Sequence, residues 1–202
     1  MFVIGVTGGI GCGKSEVANI CRDYGLNIID ADEISRNVTT SHGAAIAEIE
    51  QVFGKKMITE DGSLNRKAMS DLVFKNKRSL DQLSSIIHKY VVEEMRNQVE
   101  VLKQKKCKSV VLDVPIPVKN GFLDICDQVW VVWADDELRI SRLNQRGMTT
   151  VDAKRRIQSQ MTKEDYEAIA DKTILNNDSL ETLQNTVKLL LDEELHMRGI
   201  KI

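Results

Sequence analysis

The residues that most constrain this chain are Gly8-Gly9-Ile10-Gly11-Cys12-Gly13-Lys14-Ser15, which follow an apolar run, Phe2-Val3-Ile4-Gly5-Val6, and open a helix-like segment. They fit the pattern G-x-x-x-x-G-K-[ST], whose natural place is a strand-to-helix turn. Glycines there tolerate positive φ and leave room for backbone N–H groups to curl around a phosphate. The N-terminus of the following helix adds partial positive charge. The whole stretch Gly9, Ile10, Gly11, Cys12, Gly13, Lys14, Ser15 and Glu16 is therefore read as nucleotide-binding. Lys14 is assigned to the β and γ phosphates as a point charge, and the Ser15 hydroxyl to Mg²⁺.

Beyond the loop, Val17, Ile20 and Cys21 share one side of an amphipathic helix that Gly25 is placed to end, and Leu26 to Asp30 reads as a second strand. Strand, loop, helix, strand is one βαβ unit, so these two strands are expected to be parallel. From Ala31 to Lys106 helical periodicity dominates, with segments near 43–53, 65–75 and 78–104 broken at Gly54 and Asp61-Gly62. Ser109–Val114 and Gln128–Trp133 are continuous apolar runs, as expected of strands buried on both faces. The two tryptophans read as packing residues. A helix is predicted over 135–145, a last strand over Asp171–Asn176 and a closing amphipathic helix over 180–197.

A length of 202 residues suits one domain with an insertion, and 42% hydrophobic with 29% charged residues describes a globular chain. The net charge of −2 argues against a general nucleic-acid or membrane-surface binder. No apolar run approaches the ~20 residues of a membrane span, and the first residues lead into a strand instead of a signal segment. The expected location is the cytoplasm. Cys12, Cys21, Cys107 and Cys126 form no C-x-x-C pair or zinc spacing, so reduced thiols are expected. Cys12 has two readings. It is either a small residue at a variable loop position or a thiol whose pKa the helix N-terminus and Lys14 lower.

A phosphate loop specifies a nucleotide and not a reaction. There is no N-K-x-D base-reading motif and no D-x-x-G switch after the third strand, whereas acids beside the loop, a helical insertion and an arginine-rich stretch suit a small-molecule kinase. Phosphoryl transfer to a hydroxyl calls for a carboxylate that orients it and accepts its proton. Asp32, just past the second strand, is placed for that task; Asp30 competes, and either would also serve as a helix cap. Asp113, ending the third strand, is read either as a carboxylate holding Mg²⁺ and its waters or as a turn acid before Pro115. Arg142 and Arg146, four apart, share a helical face, and Arg156 follows in a second helical stretch. Arg146 and Arg156 are read as phosphate contacts carried on a lid that closes over the nucleotide.

The run Thr7 to Ser15, Ile29-Asp30-Ala31-Asp32, Leu64-Asn65-Arg66, Val73-Phe74, Ile87-His88, Leu112-Asp113-Val114-Pro115 and Arg156-Ile157-x-x-Gln160 together resemble the dephospho-coenzyme A kinase family across nearly the whole chain. The resemblance implies ATP-dependent phosphorylation of the ribose 3′-hydroxyl of dephospho-coenzyme A, with Mg²⁺. The implied fold is α/β, a P-loop NTPase three-layer architecture with a five-stranded parallel sheet, a helical substrate-binding insertion and a lid. On this basis residues 1–30 and 107–202 form the nucleotide-binding core, 31–106 the substrate subdomain and 146–163 the lid.

Carried over residue by residue, Asp32 faces the 3′-hydroxyl, Lys14 and Arg146 join it as catalytic groups, and Arg66, His88 and Asp113 fall on the acceptor side. Arg142, Arg146 and Arg156 match lid-side arginines, and Asn177 falls where the nucleotide base pocket is expected, though it also suits a turn. The implied partner is the small-molecule acceptor alone, without nucleic acid or membrane, in a monomer or weak homo-oligomer. Two departures stand out. Lys89 follows His88 where the family commonly has proline, and Ile116-Pro117-Val118-Lys119-Asn120 replaces an acidic, aromatic-containing segment. They leave two rivals open: a kinase of another small hydroxyl or a nucleoside monophosphate, and a weakened nucleotide-binding or coenzyme A-binding regulator.

Overall fold

Apolar runs rich in β-branched residues form the strands, with charged residues only at strand ends: Asp30, Asp113 and Lys172. The computed structural model describes residues 1–201. Strands β1 (Phe2–Gly8), β2 (Asn27–Asp30), β3 (Ser109–Asp113), β4 (Gln128–Trp133) and β5 (Lys172–Leu175) make one parallel sheet in the order β2-β3-β1-β4-β5. β1 lies at its centre, with Phe2 opposite Ser109 on one side and Gly8 opposite Val132 on the other. Every residue of β1 and β3 is buried, while the edge strands β2 and β5 are only partly so. The continuous apolar character of the inner runs follows from cover on both faces.

The first two strands are parallel as expected, but they do not pair with each other: β3 lies between them. The chain leaves β1 towards β2 on one side, whereas β3 leads to β4 on the other. The carboxyl ends of β1 and β3 therefore flank the point where the connections diverge, the usual place for a ligand in an open parallel sheet. The strands are shorter than the apolar runs suggest. β2 begins at Asn27 and not Leu26, β3 ends before Val114, and β5 excludes Asp171 and Asn176. The Asp171 side chain instead accepts the Val129 N–H at 2.7 Å, which anchors the start of the β4–β5 pair.

Helix α1 (Lys14–Asp23) follows the loop; α2 (Ala31–Asn37), α3 (Ile46–Phe53), α4 (Arg66–Val73) and α5 (Lys77–Gln104) follow β2. After β4 come α6 (Asp136–Gln145), α7 (Thr150–Gln158) and α8 (Lys163–Glu167), and α9 (Leu180–Met197) closes the chain as its periodicity predicts. Contacts divide the molecule into two compact units, one comprising Met1–Asp30 with the chain from Glu100 onward and the other Ala31–Val99. The last turn of α5 belongs to the sheet unit because that helix runs unbroken through the boundary.

Within the helical unit, the segment expected from residue 43 becomes helix only at Ile46, since Gly43 and Ala45 donate backwards to Thr40 and Val38. Asn65 caps α4 by accepting the Ala68 N–H at 3.1 Å. An isolated antiparallel bridge, Ile58 with Leu64, is the one β-type pairing there among the described residues. Lys89 explains one departure from the family pattern. It continues α5 where proline would remove a helical N–H, and its ammonium reaches Glu48 on α3 at 2.8 Å. Lys89 and Tyr90, both donating to Glu48, hold that carboxyl below its ordinary value.

In the sheet unit the first and last helices of the chain are neighbours: α9 packs against α1, with Tyr24 hydrogen-bonded to Asp192, and its Glu194 is 1% exposed. Burial would raise the Glu194 carboxyl, but Lys172 at 3.0 Å, Arg198 at 2.7 Å and Gln128 at 2.8 Å outweigh it and hold it below the ordinary 4.5. The lowered carboxyl stays ionised in the fold at pH values where the unfolded chain takes up a proton. Its contribution is complete above pH 4.5 and declines as the pH falls from there. Glu194→Gln is expected to cost about 3 kcal/mol at pH 7, the low end for breaking a buried pair because both cations can regain water. Urea titrations at pH 7 and pH 3.5 check this, the wild-type and variant midpoints converging at the lower pH.

Candidate nucleotide site

The loop between β1 and α1 is shaped from behind by side chains. Arg139 of α6 donates its Nε to the Ile10 carbonyl at 2.9 Å, Arg142 its Nη1 to the Gly11 carbonyl at 3.3 Å, and Asn176 its Nδ2 to the Cys12 carbonyl at 2.8 Å. Three successive carbonyls are thus turned inward. A trans peptide is planar, so its N–H points away from its own C=O. The amides of Gly11 and Gly13, which share peptide units with the Ile10 and Cys12 carbonyls, accordingly face away from the scaffold. Neither bonds to another backbone group, whereas the Cys12 N–H closes a turn onto Gly9 at 3.1 Å. With the Lys14 and Ser15 amides at the first turn of α1, the loop offers four donors around one helix N-terminus.

The glycines serve this arrangement in different ways. Gly11 and Gly13 have φ of 79° and 96°, which a side chain would strain. A Cβ on Gly13 would also lie 2.2 Å from Asn176 Nδ2, and one on Gly9 would lie 2.5 Å from Arg139 Nη2. Two glycines of the motif therefore make room for the side chains that hold the loop. Arg139, 2% exposed, is neutralised by Asp136 at 2.9 Å and lies 4.8 Å from the ring of Trp133, which also packs against Tyr166. Trp133 is thus a packing residue behind the loop.

A cleft of about 330 Å³ opens over the loop, lined by Gly8–Gly11, Gly13–Glu16, Pro115, Arg146 and Gln160. Lys14, on the cleft lining, forms an ion pair with Asp113 at the end of β3. The two carboxyl ends flanking the topological divergence thus supply the loop cation and an acid within reach of each other. Ser15 is exposed at the start of α1. Among the described residues no group of three or more His, Cys, Asp or Glu could cage a metal, and a magnesium ion carried mainly by phosphate and water does not need one. The glycine cradle, four donors, Lys14, Ser15 and Asp113 fit a Mg²⁺–nucleotide.

Cys12 is absent from the cleft lining and wholly buried. Burial raises its thiol above the ordinary 9.0 despite the opposing charges of Arg139 and Arg142 and hydrogen bonds from the Ala134 and Gly9 backbone. Of the two readings of Cys12, the small buried residue holds and the lowered thiol does not: the peptide of Cys12 faces the scaffold, and desolvation outweighs the opposing charges of the arginines.

The remaining expected residues fall as follows. Arg142 divides its guanidinium between the Gly11 carbonyl and the Asn176 carbonyl, the latter at 2.8 Å. Arg146 stands on the cleft wall, and Arg156 on α7 is exposed. Asn177 accepts the Asp135 N–H at 3.0 Å and joins the ends of β4 and β5. Asp32 lies in the first turn of α2; Arg66, first in α4, donates to Thr39 at 3.0 Å; and His88 is exposed on α5. All three belong to the helical unit. Its own cavity, about 310 Å³ between α2 and α5, carries Glu93 and Glu94 on its lining, the wrong charge for a phosphate.

Sequence reasoning did not single out Arg139, and it named Asn177 in preference to Asn176. The available signal for Asn176 was its position as the final residue of the last predicted strand, at the ligand-bearing edge. Arg139 carried no comparable mark, since an arginine within a charged helix reads as solvated.

A phosphate loop at the carboxyl edge of this five-stranded sheet, faced by an acid from the neighbouring strand and a rim arginine, defines a P-loop kinase. The model of the dephospho-CoA kinase family matches residues 2–182, and the chain belongs to that family. A relative named dephospho-CoA kinase from Dehalococcoides mccartyi is 36% identical over 198 residues, covering 98% of this chain and 100% of the relative. The solved dephospho-CoA kinase of Campylobacter jejuni superposes with a TM-score of 0.72 at 25% identity over 95% of this chain and 96% of that one. A crystal structure from Thermus thermophilus gives 0.75 at 28% identity, covering 95% and 97%.

Native protein at pH 8 is expected to resist alkylation at Cys12 equally with and without ATP, since the thiol is buried and protonated there. Peptide mass spectrometry after timed iodoacetamide treatment reads the result, with denatured protein as the fully labelled control.

Proposed function

We propose that this kinase transfers the γ-phosphoryl group of ATP to the ribose 3′-hydroxyl of dephospho-coenzyme A. The observation that carries the nucleotide half is the inward fixation of the Ile10, Gly11 and Cys12 carbonyls, which leaves the amides of Gly11 and Gly13 to a ligand. The acceptor half is supported by membership of a family whose relatives carry that acceptor in their names. These comparisons favour it over a kinase of another hydroxyl or a regulator without activity.

In this reading the Gly9–Ser15 backbone, with Glu16 behind it, cradles the phosphates. Lys14 exchanges its Asp113 partner for the β and γ phosphates, a small movement for a flexible ammonium. Ser15 and Asp113 would hold Mg²⁺, which neutralises charge on the phosphates when bound. Asp32 orients the acceptor hydroxyl and takes its proton as the new P–O bond forms and the bond to the β-phosphate oxygen breaks, releasing ADP. Arg66 and His88 bind the acceptor on the helical unit. Arg146 and Arg156, on the lid 146–163, screen the transferring charge; Arg142 acts through the loop it holds, and Asn177 lies beside the base. No helix among the described residues is long and apolar enough to cross a membrane.

Purified protein with Mg²⁺ and ATP is expected to turn over dephospho-coenzyme A and to leave shikimate, gluconate and nucleoside monophosphates untouched. Turnover of one of those instead would overturn the acceptor. Asp32→Asn is expected to lower kcat by ~10² or more with ATP affinity unchanged, as for loss of a general base. Steady-state kinetics beside calorimetric ATP titration separates the two quantities.

A further inference from the structure

The two peptide units that meet at Ile10 are each gripped by a side chain from outside the loop. The Ile10 carbonyl accepts from Arg139 Nε at 2.9 Å, and the Ile10 N–H donates to Gln160 Oε1 at 2.7 Å. Gln160 comes from far along the chain, two residues beyond the end of α7, and lies on the wall of the nucleotide cleft. Its backbone N–H closes the helix end by bonding to Ile157 at 3.2 Å, so its position follows that of α7. Gly9 leaves the space through which this grip is made: a Cβ there would stand 3.3 Å from Gln160 Oε1 as well as 2.5 Å from Arg139 Nη2.

We infer that Gln160 is a positioning residue that ties the orientation of the phosphate loop to the α7 segment through the Ile10 peptide. The turn Gly9–Cys12 is half glycine, and the Cys12 N–H to the Gly9 carbonyl at 3.1 Å holds it internally at one point, so groups outside the loop supply the remaining constraint on its peptide planes. Arg139 fixes one from the carbonyl side, which aims the Gly11 N–H at the cleft. Gln160 fixes the preceding plane through the Ile10 N–H, and the two grips together define the turn. Gln160 is bonded to the end of the helix that carries Arg156, so movement of α7 reaches the loop by a hydrogen bond and not only by bringing charge to the nucleotide. The amide is well suited to this task. Its uncharged oxygen accepts the N–H without adding negative charge beside a site for phosphate, which Glu at the same position would do.

This inference rests on the nucleotide half of the proposed function, and wild-type ATP affinity measured without acceptor tests that half separately. The experiment compares Gln160→Met, which keeps length and loses the acceptor, with Gln160→Glu, which restores an acceptor. Amide hydrogen exchange of ligand-free protein reads the Ile10 N–H directly, and calorimetry reads ATP binding. Gln160→Met is expected to speed Ile10 exchange by about 10-fold, the effect of losing one part-buried hydrogen bond, and to weaken ATP by a similar factor with the KM for acceptor unchanged. Gln160→Glu is expected to return the slow exchange while ATP stays weakened by the added charge. Unchanged Ile10 exchange in Gln160→Met would overturn the proposal. So would faster exchange with wild-type ATP affinity, or weakened ATP with normal exchange, the last because Gln160 would then act on the nucleotide directly.

Discussion

The site depends on three carbonyl oxygens being held away from the ligand. A glycine-rich loop is flexible by composition, and its peptide planes would as readily present oxygens to a phosphate as hydrogens. Arg139, Arg142 and Asn176 decide between these by accepting the inward geometry only, each donating to one carbonyl of the Ile10-Gly11-Cys12 stretch. The cost of ordering the loop is thereby met in the folding of α6 and the end of β5, before any ligand arrives. That is what preorganisation means for an anion site: the dipoles are already aimed, and binding requires no backbone reorganisation. The covered sheet beneath completes the condition, because β1 and β4 are buried nearly throughout and give the loop a fixed root.

The fold was legible in the sequence wherever apolar periodicity was uninterrupted. β1, β4 and α9 lie where their patterns put them, and the helical character of residues 31–106 is clear from Ile34 through Met95. The ends were less legible for a physical reason. Leu26 and Val114 are buried and apolar like strand residues but lie just outside the paired register, although the Val114 N–H still donates to the Val6 carbonyl at 3.0 Å; burial marks a residue irrespective of its pairing. Periodicity likewise cannot show that β3 inserts between β1 and β2, since parallel neighbours need not be adjacent along the chain.

The site was legible in part. Lys14, Ser15 and Asp113 are fixed by local spacing at strand ends, where the sequence directly encodes the geometry. Arg139 and Asn176 belong to the loop through contacts 129 and 164 residues apart in the chain, which no local pattern records. Cys12 shows the opposite failure. Its sequence neighbours, a lysine and a helix start, suggest a lowered thiol. Which way the residue faces decides the matter, and that depends on Asn176 drawing its carbonyl inward.

The arginines of the basic stretch therefore differ in kind, although they are indistinguishable by composition. Arg139 and Arg142 are committed to backbone oxygens, and Arg139 is also paired with Asp136; neither can swing to a phosphate without releasing the loop that would receive it. Their charge still acts, because a cation held behind a peptide deepens the positive potential at the amide in front of it. Arg146 stands on the cleft wall, and Arg156 is exposed on α7. Under the function proposed above, a fixed inner pair shapes and polarises the loop while the outer pair meets the transferring charge, two demands that one arginine could not meet. Rigid aim requires buried partners, whereas response to charge developing during transfer requires a side chain that can move.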